Sequence, residues 1–335
     1  MEEGFNVQKK FFNELKAKLP FNLSLANVVA DELSISIDSA YRRIRGESDL
    51  SLKEFNLLSS KFSVPTDIVF SKSQNYASFK YRSIQCNHYD LKSYFNSIAE
   101  EIKLLEHFGI KEIIYSALDL PIFYYFIFPK LAAFKIFFWK RSVFEFPKLN
   151  DLHFNFNIID DNDLERSHNM LKNYLAIPNI TEVWSEDTIN ATLRQIRFYN
   201  EIEIFESKQD IIYILDDLKK VLNHIEKQAE FGYKFYPGTD FPINSDKNNF
   251  KLYFNKLTLS ENMILLKSKY TNKVHLGYNV LNILTTNDEE FFNDAHEFYQ
   301  KIIKNSTLLS VISERERQRF FKILSNKIDA LINNL

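Results

Sequence analysis

Residues 24–46 read SLANVVADELSISIDSAYRRIRG, the periodicity of two short helices joined by a tight turn. Leu25 to Leu33 spaces Ala26, Val29, Ala30 and Leu33 by three and four residues, which marks one buried stripe, with Ser24 as its N-cap. Ser34-Ile35-Ser36 breaks that pattern. Ile35 suits the inside of a turn and Ser36 can cap a second helix. From Ile37 to Arg45 the expected inward side holds Ile37, Ala40 and Ile44, while Asp38, Ser39, Arg42 and Arg45 project outward. Gly46 supplies the left-handed residue that ends the helix.

A helix with a short, polar, arginine-rich free face fits a DNA major groove, where guanidinium forks pair with guanine edges or phosphates. On that reading Arg42 contacts a base, and Ser36, Asp38 and Ser39 sit at base edges or adjacent phosphates. Arg43 and Arg45, toward the C-terminal end, bind phosphate. Around this pair, VQKKFFNELKAKL (7–19) forms an amphipathic helix with Phe11, Leu15 and Leu19 inward. Ser51 and Glu54 form a capping box, followed by Phe55, Leu58 and Phe62 at helical spacing, and Pro65 opens a last short helix through Phe70.

Residues 7–70 resemble the phage-repressor (Cro-like, XRE-type) helix-turn-helix family. The matching residues are Ala30, Ile35-Ser36, Ala40 and Arg45-Gly46, together with SLKEFNLLSSKFSVPTDIVF (51–70) for the last two helices. Ser34 stands where the family often has glycine, and the Ile44-to-Gly46 spacing is one residue shorter than is common. The resemblance implies double-stranded DNA as the partner and transcription regulation as the role.

At 335 residues the chain exceeds one small DNA-binding module, so more than one domain is expected: an all-α domain over 1–70 and a larger region over 71–335. A net charge of −2 leaves no global nucleic-acid footprint, so DNA binding must rest on the local Arg42-Arg43-Arg45 cluster. The single cysteine, Cys86, excludes an internal disulfide and any multi-cysteine metal site, and fits a reducing cytoplasm. Six scattered glycines form neither a phosphate-cradling loop nor a dinucleotide fingerprint. The Met-Glu-Glu start lacks the basic-then-apolar order of a signal peptide.

Residues 71–335 read as mixed α/β with long helices. Ser71 to Asn75 is polar, a hinge, and Ala77, Phe79 and Tyr81 alternate with polar residues as a strand does. A helix from about Tyr89 to Phe108, a buried strand from Lys111 to Leu118 and a helix from Pro129 to Val143 follow. The aromatic stretch Leu120 to Trp139 carries too many prolines and lysines to span a membrane, and is expected to be core or to line a pocket for a small apolar ligand. Residues 162–231 read as helical, a candidate subdomain over 160–232, with Ser185 capping the helix of Ile189, Leu193 and Ile196. Ile211, Leu215, Leu218, Leu222, Ile225 and Ala229 make a coiled-coil-like seam, repeated at Phe321 to Leu335; either seam packs inside the chain or holds a homodimer. Three strands, 250–257, 263–269 and 274–284, precede a helix capped by Thr286 and Glu289 and a final one capped by Ser313 and Glu316.

No catalytic constellation is legible. Cys86 and His88 are two ligands on one segment, His224, His275 and His296 lie on separate elements, and the acidic run Asp160 to Glu165 reads as a solvated helix start, so neither metal nor cofactor is expected. Asp119, just past a strand, is the one candidate for ligand contact, because α/β sites gather at strand carboxyl ends; a turn residue before Pro121 is its other reading. Two function classes remain: a transcriptional regulator with a sensing or dimerising C-terminal region, and an enzyme or phage-defence-type effector carrying the helix pair for autoregulation or tethering.

Overall fold

The computed structural model describes residues 2–20, 23–64, 77–81, 90–107, 109–239, 250–256 and 261–335. The chain divides into two compact units, Met1–Ser78 and Phe79–Leu335. Residues 65–70 and 71–75, expected as a helix and a hinge, lie outside the described residues, as do Cys86 and His88.

Among its described residues the first unit is helical: α1 (Glu2–Lys18), α2 (Leu25–Leu33), α3 (Ile37–Arg45) and α4 (Leu52–Phe62). Phe11, Phe12 and Leu15 of α1 meet Val29 and Ala30 of α2, Ala40 of α3 and Leu58 of α4 in one small core. The caps hold as the residue types dictate. Ser36 accepts the Ser39 N–H at 3.2 Å, Gly46 takes φ 76°, and Ser51 and Glu54 close their capping box. Ser24 occupies an N-cap position without a side-chain bond. Ser34 adopts φ 52° at the end of α2, a left-handed conformation that costs a residue with a Cβ about 1–2 kcal/mol. Gln8 of α1 donates to the carbonyls of Arg43 and Ser48 and accepts from the Leu50 N–H, which covers backbone groups left open where α3 ends.

One inward residue is misplaced by the periodicity. Ile37 is 52% exposed, and only Ala40 and Ile44 hold α3 to the core. The Cα–Cβ bond tilts toward a helix's N-terminus, so a side chain in the first turn projects past the end of the packed surface.

The second unit is α/β. After α5 (Leu91–His107), β1 (Ile110–Ala117), β2 (Ile180–Trp184) and β3 (Phe250–Phe254) run parallel. β4 (Met263–Ser268), β5 (Asn272–Tyr278) and β6 (Asn282–Thr286) form an antiparallel meander against β1, and β7 (Thr307–Leu308) pairs with β3. The sheet order is β6-β5-β4-β1-β2-β3-β7. Alternation along β1 sends Ile113 and Tyr115 to one face and Ile114 to the other. On the first face lie α5, α6 (Pro129–Ser142), α7 (Asp161–Leu175), α8 (Asn190–Glu201), α9 (Lys208–Phe231) and α11 (Glu314–Ile332). On the second lies α10 (Glu289–Lys304), through Phe292, Ala295 and Tyr299.

Several expectations change. Residues 162–231 are not a helical subdomain, since β2 lies within them, paired between β1 and β3 of the sheet. Ile180-Thr-Glu-Val-Trp184 is covered on both faces and therefore lacks the alternation that marks a half-exposed strand. The 274–284 stretch is two strands, turned at Asn279 with φ 54°. Of the strand expected at 77–81, only an isolated bridge remains, between Lys80 and Thr285. Ser185 starts a turn ahead of α8, and Asp288, not Thr286, caps α10.

The seam residues Ile211, Leu215, Leu218, Leu222, Ile225 and Ala229 are all 0% exposed in the main core, which also takes in Phe321, Leu324, Ile328 and Leu331 of α11. Both seams are spent inside the chain, so neither is free to hold a second copy. No helix among the described residues is long and apolar enough to cross a membrane; the 120–139 stretch is a 3-10 turn (Ile122–Phe126) and α6.

Candidate functional site

A cavity of about 330 Å³ opens beside the carboxyl end of β1, at the lower end of the range for small-molecule sites. Tyr94, Ile98 and Ile102 of α5 form one wall, Ile113, Tyr115 and Leu266 the floor, and the β5–β6 turn at Asn279 to Leu281 the rim. The aromatic stretch contributes Leu120, Ile122, Phe123, Tyr125, Lys135 and Trp139.

The polar end is built around Asp119. Its Oδ1 accepts from the Leu120 N–H at 2.9 Å and the Tyr125 hydroxyl at 3.0 Å, and its N–H donates to Asn262 Oδ1 at 3.2 Å. Among the described residues its Oδ2 has no partner. Asp119 keeps accessible surface although protein surrounds it, because that surface faces the cavity. Burial pushes the carboxyl above its ordinary range, opposed by the Lys135 charge and the Tyr125 hydrogen bond.

Lys135, on α6, is 1% exposed and lines the same end. It donates to Gln195 Oε1 at 2.8 Å and Thr192 Oγ1 at 3.3 Å, and its ammonium stands 4.0 Å from the centre of the Tyr125 ring. Burial pulls its pKa down to about 8 against the restoring charge of Asp119. Tyr125 links the two groups, since its hydroxyl also meets Thr192 Oγ1 at 2.8 Å. At the other end lie Glu101, Lys273 and His275, whose Nδ1 is 2.9 Å from Thr285 Oγ1. Burial lowers the His275 pKa, so the ring is neutral near pH 7.

Beside the cavity sits a second buried polar cluster that the sequence does not single out. Glu182 of β2 is fully buried; its Oε1 accepts from the Tyr124 hydroxyl at 2.7 Å, the Tyr174 hydroxyl at 2.6 Å and the Lys234 ammonium, and its Oε2 from Trp184 Nε1 at 2.9 Å. Lys234 lies 3.7 Å from the centre of the Tyr174 ring, and burial brings its pKa down to about 8. The carboxylate is occupied at both oxygens, so this cluster holds the core rather than a ligand.

The six residues expected at DNA fall into three placements. Ser36, Asp38, Arg42 and Arg45 are exposed on α3, beside the exposed Ile37 and Tyr41. Arg42 has no ion-pair partner among the described residues, and Arg45 meets Glu47 at 3.2 Å. Ser39 is half-buried and takes the Ser36 hydroxyl at 2.9 Å. Arg43 turns inward, with Nη2 3.0 Å from Glu54 and Nη1 donating to the Ser39 carbonyl at 3.3 Å.

The histidines stay apart: His224 pairs with the Phe235 carbonyl and His296 with Glu112. Among the described residues no group of three metal-ligating side chains converges. In the acidic run, Asp160 caps α7 and Asp163 is buried against Lys140 and Arg166 rather than solvated. No family model matches the chain, and no curated protein or solved structure resembles it at a significant level.

Proposed function

We propose that the chain is a sequence-specific DNA-binding transcriptional regulator whose α2–α3 pair acts as a helix-turn-helix and whose second unit senses a small molecule. The observation that carries this reading is the face of α3: Asp38, Tyr41, Arg42 and Arg45 exposed, with Ala40 and Ile44 fixing the helix to its core. An exposed tyrosine and arginine on a short capped helix can meet thymine methyls and guanine edges. The cavity at the β1 end supplies the sensing half. A dimer on an inverted repeat would need a surface other than the α9 and α11 seams.

A second reading, an effector that performs chemistry in the cavity, is favoured by one observation: a carboxyl pushed up and an amine pulled down share one end of it. Genomic immunoprecipitation of the tagged, full-length protein separates the two. Discrete sites sharing a sequence element support the regulator, and sequence-blind or absent enrichment overturns it.

A further inference from the structure

The cavity has a chemically mixed end and an apolar body, and the composition of that end selects a ligand class. Asp119 offers one carboxyl oxygen without a described partner, Lys135 makes only two hydrogen bonds, and the Tyr115 hydroxyl makes none among the described residues. An acceptor, a donor and an amphoteric hydroxyl therefore line one cavity. Apart from the Glu101, Lys273 and His275 group at the other end, the lining away from them includes Ile98, Ile102, Leu105, Ile113 and Ile180. We infer that the cavity takes an uncharged ligand with a carboxamide-like head, donor and acceptor at once, on an apolar tail, with about ten non-hydrogen atoms in all. This rests on the sensing half of the proposed function.

The donors and acceptors at the mixed end set the charged classes apart. Asp119 and Lys135 already oppose one another across Tyr125. Of the other ionisable groups on the lining, Glu101 is offset by Lys273, while Glu261 accepts from the Tyr299 hydroxyl at 2.9 Å and keeps its charge. A carboxylate head cannot donate to Asp119, an ammonium head cannot accept from Lys135 or Tyr115, and each would bring a charge next to a like-charged group where burial already works against charge. A neutral amide adds none, and can donate to Asp119 while accepting from Lys135 or Tyr115.

The test titrates octanamide, octanoate, octylamine and 1-octanol into the full-length protein at neutral pH, read by calorimetry and thermal shift. Octanamide is expected to bind at least tenfold more tightly than octanoate or octylamine, and more tightly than octanol, which cannot bridge donor and acceptor equally well. Asp119→Leu should lose at least tenfold for octanamide and little for octanol. Leu105→Trp, which fills the tail end, should abolish binding of both; if that variant fails to fold, the ranking of the four probes decides alone. Octylamine or octanoate binding as tightly as octanamide overturns the inference, as does the absence of binding by all four. DNA enrichment on the same preparation separates the failures. Protein that finds discrete sites but binds no probe sinks the ligand class alone, and protein that binds octanamide but no DNA sinks the regulator alone.

Discussion

Arg43 aims its guanidinium at Glu54, the carboxylate that also closes the capping box at the start of α4. One acidic side chain thus ties α3 to α4, and its pKa is lowered by the Ser51 and Arg43 hydrogen bonds against the opposing effect of burial. An arginine committed in this way is a structural part of the α3–α4 packing.

The arginines of α3 should therefore separate by assay. Arg43→Ala is expected to destabilise the first unit by about 1 kcal/mol, the pair being half-buried. Arg42→Ala should leave stability within about 0.5 kcal/mol, cost DNA binding about 1–3 kcal/mol and relax preference at one base pair. Arg45→Ala should weaken all sequences alike and lower the salt slope by about one. Urea unfolding and salt-dependent DNA titration read the three variants.

Stability should rise with pH between about 8 and 10. Lys135 and Lys234 have pKa values near 8 in the fold against an ordinary 10.5, so over that window the unfolded chain binds protons that the folded chain has released. Each lysine contributes at most about 1.4 kcal/mol per pH unit, and below pH 8 its burial penalty is present in full. Above pH 10 the trend should reverse. Tyr115, Tyr124, Tyr125 and Tyr174 all resist ionisation through burial, so there the fold holds the extra protons. Urea midpoints at pH 7, 8, 9, 10 and 11 trace the curve, and Lys135→Met should flatten its rising limb.

Breaking the Glu182 cluster from one side should be severe. Lys234→Met leaves a buried carboxylate without its counter-charge, and Glu182→Gln leaves a buried ammonium; each is expected to cost about 3–5 kcal/mol. The double variant should recover more than half of the larger loss. Denaturation of the three proteins, analysed as a double-mutant cycle, measures that coupling.

Charging the α9 seam should unfold the second unit rather than separate subunits. Leu218→Glu with Leu222→Glu puts two carboxylates where no solvent reaches, at an expected cost above about 4 kcal/mol. Circular dichroism beside light scattering tells collapse from dissociation.

How much of this was legible depends on the range of the interaction. Helix ends in the first unit were readable because their signals are local: Ser51 sits three residues from Glu54, and Gly46 directly follows α3. Asp119 was readable from its place after a buried strand. Lys135 stood in the sequence only as a charge within an aromatic run. Its burial emerges once α8 brings Thr192 and Gln195 to it. β2 was hidden because Thr181 and Glu182 interrupt its apolar residues, and two of the four groups that satisfy Glu182, Tyr124 and Lys234, lie 58 and 52 residues away. No periodicity reports a carboxylate whose counter-charge comes from so far along the chain.

The bridge at Lys80 ties the start of the second unit to a strand of the cavity lining. Lys80 and Thr285 exchange both backbone hydrogen bonds at 2.8 Å, so the chain entering the second unit is clasped to β6. Thr285 also holds His275 across the β5–β6 pair, and Ile283, two residues back on β6, lines the cavity. A pull on Lys80 would therefore act on a strand with a cavity-lining side chain, as a cord acts on a shutter slat. A slip of one residue there would turn Ile283 to the opposite face and take it out of the cavity lining.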